Sequence, residues 1–298
     1  MSNRLVSVCI ASIGRPSLRD TVEAVLACTL PDGFAREIVV ADDSRTGEAA
    51  SVLSRLPDSR EVRIVASAAR NISIARNHAM AHAHGEYLAF IDDDELPAAD
   101  WLEQLVRLAE SSGADGVQGS LIGIYPPQCP AWARQLRPYD KHYGAEGQAV
   151  QVAATGNLLL RRSALVKRAL EFDPALGRTG GEDTDLSFRL TASGGRIVCS
   201  PTATVYEHVP IERLDRKHLM RRYTRGGHSY AATVLAHQGR IRRALEICKA
   251  VVLTGAFSLM AAASRKTHPT ASMRFTLRLS GNIGKLLFFM GRPAWNLY

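Results

Sequence analysis

The chain of 298 residues lacks the marks of several protein classes. Its five cysteines (Cys9, Cys28, Cys129, Cys199, Cys248) are odd in number, widely scattered and without a CxxC pair. That excludes a disulfide framework and a cysteine zinc site, and leaves reduced, structural thiols. Aromatic residues are only 6% of the chain. The most apolar stretch, AVVLTGAFSLMAAA at 250–263, is 14 residues long, short of the roughly 20 that cross a bilayer comfortably. The first residues, MSNRLVSVCIASIGRP, have too short an apolar run for a signal peptide and no small-residue cleavage site, so the protein reads as cytoplasmic. Acid is scarce at one end: residues 209–298 hold 16 of the 37 Lys and Arg but only Glu212, Asp215 and Glu246 of the 29 acidic residues. Such a basic end points to an anionic partner. Because apolar sequence rather than stacking aromatics interrupts it, a membrane surface is expected and nucleic acid is not.

What remains is ordinary globular composition, 46% hydrophobic and 22% charged, with room for one large α/β domain and an appendage. Strand-like runs at 5–11, 37–41, 61–66 and 87–91 alternate with helical patterns at 19–28, 72–84 and 97–112. This predicts βαβ units and a parallel sheet. Residues 125–148 read as a long loop and a candidate lid, 150–161 as a strand interrupted at 155–157, and 183–192 as a helix. Strands are expected near 196–200 and 203–207, and a basic helix over 216–235. The 250–263 run reads as an interfacial segment, or alternatively as a buried core helix.

In open sheets ligands bind beyond the carboxyl ends of the strands, so the polar residues there are the ones to inspect. YLAFIDDDELP runs a strand into Asp92, Asp93 and Asp94. Alternation along a strand puts Asp92 and Asp94 on one side, a hard-oxygen site for Mg²⁺ or Mn²⁺. The triplet reads equally as a solvated acidic turn or a cap for the helix near Pro97. Asp42 and Asp43 end EIVVADDS at a second strand end, where they read as part of the ligand-binding edge or as a turn or helix cap. In TGGEDTDL, Gly180 and Gly181 permit a tight turn before Glu182 and Asp183. Asp183 can serve there as a general base or as a helix cap.

Taken together, strand–SxGRP, VADDS, ISIARNHAM, FIDDDE, TGNLLLRR and GGEDTDL resemble the family-2 glycosyltransferases with the GT-A fold, over about residues 5–208. LMRRYTRGGHSY is similar to bacterial exopolysaccharide members of the succinoglycan type. The resemblance implies an α/β GT-A domain over 1–208, a mostly parallel central sheet flanked by helices, and a basic helical extension over 209–298. It also implies an inverting transferase with Mn²⁺ or Mg²⁺ as cofactor. The donor would be a nucleotide-sugar, by default a UDP-sugar, and the acceptor a lipid-linked or saccharide one at the inner face of the membrane. By position, Asp42 or Asp43 meets the nucleobase, Asp92 the ribose, and Asp94 the metal, with Asp92 and His208 as further candidate metal contacts. Asp93 is a further candidate nucleotide-sugar contact. Arg76 and Asn77 line the donor pocket, and Ser12 and Arg15 approach the nucleotide. Asp183 is the base, with Glu182 beside it. Arg225 is a candidate diphosphate contact, or part of a solvated basic helix. The chain has no Gln-x-x-Arg-Trp motif, so single-sugar addition is favoured over polymer synthesis. Two rival readings are a sugar-phosphate nucleotidyltransferase, which ASIGRPS with its single Gly and no Lys disfavours, and a non-catalytic protein binding anionic surfaces.

Overall fold

A computed structural model describes residues 4–54, 56 and 60–292, so the expected domain limits at 1 and 298 lie outside the described residues. The elements, in order, are β1 (Arg4–Ser12), α1 (Ser17–Ala27), β2 (Phe34–Asp42), α2 (Glu48–Leu53), β3 (Val62–Ala66), α3 (Ile72–His82), β4 (Tyr87–Ile91) and β5 (Glu95–Pro97). Then come α4 (Trp101–Ser112), β6 (Gly116–Ile124), α5 (Ala131–Leu136), β7 (Ala149–Val150), β8 (Asn157–Arg161), α6 (Arg162–Lys167), α7 (Glu182–Ala192) and β9 (Ile197–His208). Three helices follow: α8 (Arg216–Thr233), α9 (Arg240–Ser264) and α10 (Pro269–Phe289).

These elements form two compact units. The first holds the described residues through Ile122 together with Asp140–Glu207; the second holds Gly123–Tyr139 and the described residues from His208 on. In the sheet the strand order is β3-β2-β1-β4-β8-β6-β9-β5, with β7 beside β9. β3, β2, β1 and β4 run parallel, whereas β8 pairs antiparallel with both β4 and β6. Strand β4 is buried along its whole length, as a central strand covered on both faces must be. Helix α4 shows why the flanking helices form. Trp101, Leu102, Leu105, Val106 and Ala109 make one buried stripe at helical spacing, and Gly113 closes the helix at φ 62°. The second unit has its own core of Cys129, Ala133, Tyr139, Val209, Leu214, Leu219, Met273 and Leu277. All five cysteines are free.

Several sequence expectations change. The helix expected from Pro97 starts at Trp101, because residues 95–97 are spent as an edge strand paired to Val205–Glu207 of β9. The strands expected at 196–200 and 203–207 are one strand, β9, which continues through an exposed Pro201. The interruption expected at 155–157 is longer and lies earlier: residues 151–156 form a loop between β7 and β8, and Asn157 begins β8. Residues 125–148 are not all loop, since α5 lies within them. The buried-helix reading of 250–263 fails, because only Ala250 of α9 is buried.

One side chain ties the antiparallel half together. Asn157 accepts the indole N–H of Trp101 at 2.7 Å, and its amide donates to the carbonyls of Ser120 and Ala203, both at 2.8 Å. Replacing it leaves an indole N–H and two carbonyls buried without partners. Asn157→Ala is therefore expected to cost on the order of 2–4 kcal/mol, read by urea denaturation of the purified protein.

Candidate active site

Parallel register delivers the acidic residues to one edge. Ser12, the last residue of β1, stands opposite Asp42, the last of β2, and β4 beside them ends at Ile91, one residue before Asp92. Asp92, Asp93 and Asp94 lie in a turn, not in the strand, so strand alternation is not what separates them. The separation comes from hydrogen bonding. Asp93 is buried; its Oδ2 accepts the Ser12 hydroxyl at 2.5 Å and its Oδ1 accepts Arg15 Nη1 at 3.0 Å. Burial raises its pKa, opposed by the Ser12 hydrogen bond and the Arg15 charge. Asp92 and Asp94 keep exposed carboxylates, at 44% and 28% of the side chain. Arg15 reaches Asp94 as well, at 3.2 Å.

The turn is closed from below by a residue that the sequence reading passed over. Glu95 Oε2 accepts the backbone N–H of Asp92 at 3.0 Å, and the Glu95 N–H donates to the Asp92 carbonyl at 3.2 Å. The carboxyl is buried, and burial, reinforced by the charge of Asp92, raises its pKa well above the usual glutamate range. Gly156 makes room for it: a Cβ there would lie 2.5 Å from Glu95 Oε1. The signal was present, a fourth acid after DDD and the glycine of TGN, but neither pattern reveals burial.

Asp42 and Asp43 are both buried at the end of β2. Asp42 accepts the N–H of Ser44 at 2.9 Å and of Ala49 at 3.0 Å, one at each oxygen. Asp43 takes four donors, the Ser67 hydroxyl and the N–H groups of Ala69, Arg70 and Asn71, and so fixes the loop before α3. Asn71 in turn caps α3 by accepting from the N–H groups of Ser73 and Ile74.

On α3, Arg76 and Asn77 part company. Buried Arg76 gives Nη1 to Glu182 Oε1 at 2.6 Å and Nη2 to Asp92 Oδ1 at 3.0 Å, with its guanidinium 5.6 Å from the centroid of Phe172. It thereby joins the acidic turn to the first turn of α7. Asn77 turns to the backbone of Phe172, donating to its carbonyl at 2.8 Å and accepting its N–H at 2.9 Å. Glu182 is buried, and its pKa is raised by burial more than the Arg76 charge lowers it. The cap position of α7 is Gly181, at φ 100°, so Asp183 is not the helix cap. It lies in the first turn, half-buried, with Oδ1 accepting the N–H of Thr184 at 2.6 Å. His208 ends β9 and Arg225 lies on α8; both belong to the second unit.

Asp92 and Asp94 offer hard oxygen donors, though among the described residues no three His, Cys, Asp or Glu side chains gather to hold a metal ion by themselves. Mg²⁺-type ions take one or two carboxylates and complete their shell with phosphate oxygens.

A mostly parallel α/β sheet flanked by helices, with acidic residues beyond the ends of its parallel strands, is the architecture of the GT-A fold. The chain belongs to glycosyl transferase family 2, whose profile matches residues 7–168. It is 31% identical over 294 residues to "Succinoglycan biosynthesis protein ExoM" of Rhizobium meliloti (strain 1021), covering 96% of this chain and 93% of that protein. It is 33% identical over 108 residues to the Escherichia coli "UDP-Glc:alpha-D-GlcNAc-diphosphoundecaprenol beta-1,3-glucosyltransferase WfaP", covering 36% of this chain and 42% of that one. Among solved structures it resembles the mannosyltransferase PcManGT from Pyrobaculum calidifontis in complex with GDP-Man and Mn²⁺. The TM-score is 0.66 at 18% identity, over 97% of this chain and 88% of that one. The protein is thus a glycosyltransferase of a polysaccharide-biosynthesis family, and the nucleotidyltransferase reading is set aside.

Glu95→Gln keeps the shape of the buried carboxyl without its charge. A folded pKa raised by burial means that wild-type stability is full below the ordinary glutamate value, about 4.3, and is lost as pH rises through the folded value. Glu95→Gln is expected to match wild type under acid conditions and to be more stable at neutral pH and above, measured by urea denaturation across pH.

Proposed function

We propose that the chain transfers one sugar, with inversion, from a nucleotide-diphosphate sugar, by default a UDP-sugar, to a lipid-linked or polysaccharide acceptor. The observation that carries this reading is the Arg76 bridge, which holds the exposed carboxylate of Asp92 and the start of α7 on one cation. Donor-side and acceptor-side acids are thereby kept in fixed relation, as an in-line displacement requires.

In this mechanism the acceptor hydroxyl oxygen bonds to the anomeric carbon as the bond to the diphosphate oxygen breaks. Asp183 takes the hydroxyl proton. Asp94, with Asp92, would hold Mn²⁺ or Mg²⁺, which when bound offsets the charge growing on the departing nucleoside diphosphate. Arg15, 47% exposed and already between Asp93 and Asp94, holds the turn and lends positive charge beside it. Ser12 fixes Asp93, and Glu182 fixes Arg76. Of the two β2 acids, Asp42 suits the nucleobase better, because it takes one donor per oxygen where Asp43 is loaded with four. Asn77 shapes the pocket wall through Phe172. The roles of His208 and Arg225 rest on the family resemblance alone. Residues 1–208 form the catalytic domain in this reading, and 209–298 carry it to the inner membrane face. A GDP-sugar complex and a UDP-glucose enzyme among the relatives make the nucleotide a matter for experiment.

Asp183→Asn is expected to lower turnover by roughly 10²–10⁴-fold while leaving donor affinity intact. Asp94→Ala should lose both transfer and metal-dependent donor binding. Donor hydrolysis over a panel of nucleotide-sugars with Mn²⁺, combined with donor titration calorimetry, reads both. Near-native turnover of Asp183→Asn would remove it as the base.

A further inference from the structure

Helix α9 wears its apolar residues on the wrong side for a water-facing helix. One face is packed on α10: Phe257 stacks on Phe275 with centroids 6.2 Å apart, and Ser272 donates to the Ala261 carbonyl at 2.7 Å. The opposite face carries Ile241, Leu245, Cys248, Val252, Gly255 and Leu259, spaced three or four residues apart and so aligned in one stripe along the helix. Every one of them is exposed, with Ile241 at 79%, Val252 at 69% and Leu259 at 75%. Single exposed apolar residues need no explanation, but a continuous stripe over a helix of 25 residues marks a covered surface.

Charge identifies the cover. Arg240, Arg242 and Lys249 are exposed along the first half of α9, and Arg265 and Lys266 are exposed just after its end. Glu246 is the single acid between Arg240 and Lys266. An apolar stripe fringed by cations is complementary to an anionic lipid surface.

Length and composition alone would let α9 cross a membrane. Its packing opposes that. The inner face lies on α10, which carries Arg274, Arg278 and Lys285, with the Arg278 guanidinium 5.9 Å from the Phe257 centroid. Behind α10 is α8, with Arg216, Lys217, Arg221, Arg222 and Arg225. These two helices touch backbone to backbone: a Cβ on Gly227 would lie 1.9 Å from the Gly281 carbonyl oxygen, and one on Gly284 equally close to that of Thr224. An upright α9 would either strip away from α10 or carry this basic layer into hydrocarbon.

We propose that α9 lies in the plane of an anionic membrane, its apolar stripe sunk at the headgroup–acyl boundary and its flanking Arg and Lys on the lipid phosphates. The inference deepens the membrane side of the proposed function and rests on that reading for its purpose, though not for its physics.

The test uses the full chain and vesicles of phosphatidylcholine, with and without phosphatidylglycerol. Flotation with the anionic vesicles alone, weakened by salt, is expected. Val252→Glu with Leu259→Glu, both at exposed positions, should reduce partitioning roughly tenfold or more. Cys248, the one exposed cysteine of the five, supplies a second readout: its labelling by a water-soluble maleimide should slow about tenfold on anionic vesicles. Equal flotation of the double-Glu variant, or unchanged Cys248 labelling on bound protein, overturns the proposal. So does protection of Cys248 without lipid that rises with protein concentration, because a second copy then covers the face. Donor hydrolysis by the double-Glu variant should equal wild type. Its absence in both proteins would count against the sugar-transfer reading and leave the membrane result standing.

Discussion

The arrangement of acids at the sheet edge depends on one buried cation. Arg76 sits between Glu182, itself buried, and Asp92, which is half open to solvent. A guanidinium removed from water needs charge partners with good geometry, and its planar fork can satisfy two carboxylates at once, which a lysine ammonium cannot do in the same way. The two partners come from positions 92 and 182, far apart in sequence. Satisfying Arg76 therefore requires β4, α3 and α7 to be correctly assembled. The same demand that makes the arginine tolerable in the core fixes the distance between the two acidic segments.

Around that bridge the carboxylates divide by burial. Asp43, Asp93 and Glu95 are buried and hydrogen-bonded to the chain, and each shapes a loop: the approach to α3, the exit of β1, and the Asp92–Asp94 turn. Asp92, Asp94 and Asp183 remain open enough to act on something else. Burying an acid is costly unless donors surround it or it keeps its proton, and the two solutions coexist here. Asp43 has four donors. Glu95 has one from Asp92 and a raised pKa. Acids that cost stability to bury are thus what presents the exposed ones at fixed positions.

Much of this was legible in the sequence, because strand ends followed by acids are local patterns. FIDDDE and VADDS mark the ends of β4 and β2 at one edge of the sheet, and GGEDTDL marks the start of a helix. What the pattern could not give was which acid faces inward. Glu95 and Asp94 are neighbours of the same chemistry, and only the arrival of Gly156 from a distant loop makes room for one of them inside. The start of α4 was misread for a similar reason. Residues 95–97 have no strong local preference, and their pairing with β9 supplies the structure. Residues 196–208 gave two short strands because Pro201 is a local breaker, yet the long strand continues around it with the proline exposed.

The 250–263 run shows where composition alone leaves environment open. It suits an interfacial segment or a core helix, and nothing in a list of apolar residues tells the inward face from the outward one. Packing on α10 makes the distinction, since it consumes one face and leaves the other with as much apolar character. A water-facing surface would be selected for charge at positions 252, 255 and 259, as it is at 240, 242, 265 and 266 on the same helix and just beyond it. The absence of charge on one stripe and its presence along the flanks and beyond the end match the single boundary condition of the proposed membrane contact, a surface that is apolar within and anionic at its edge. If the acceptor is carried on lipid, as proposed, such a surface has a purpose, because holding enzyme and acceptor in one plane raises their effective concentration without any added contact at the acidic edge of the sheet.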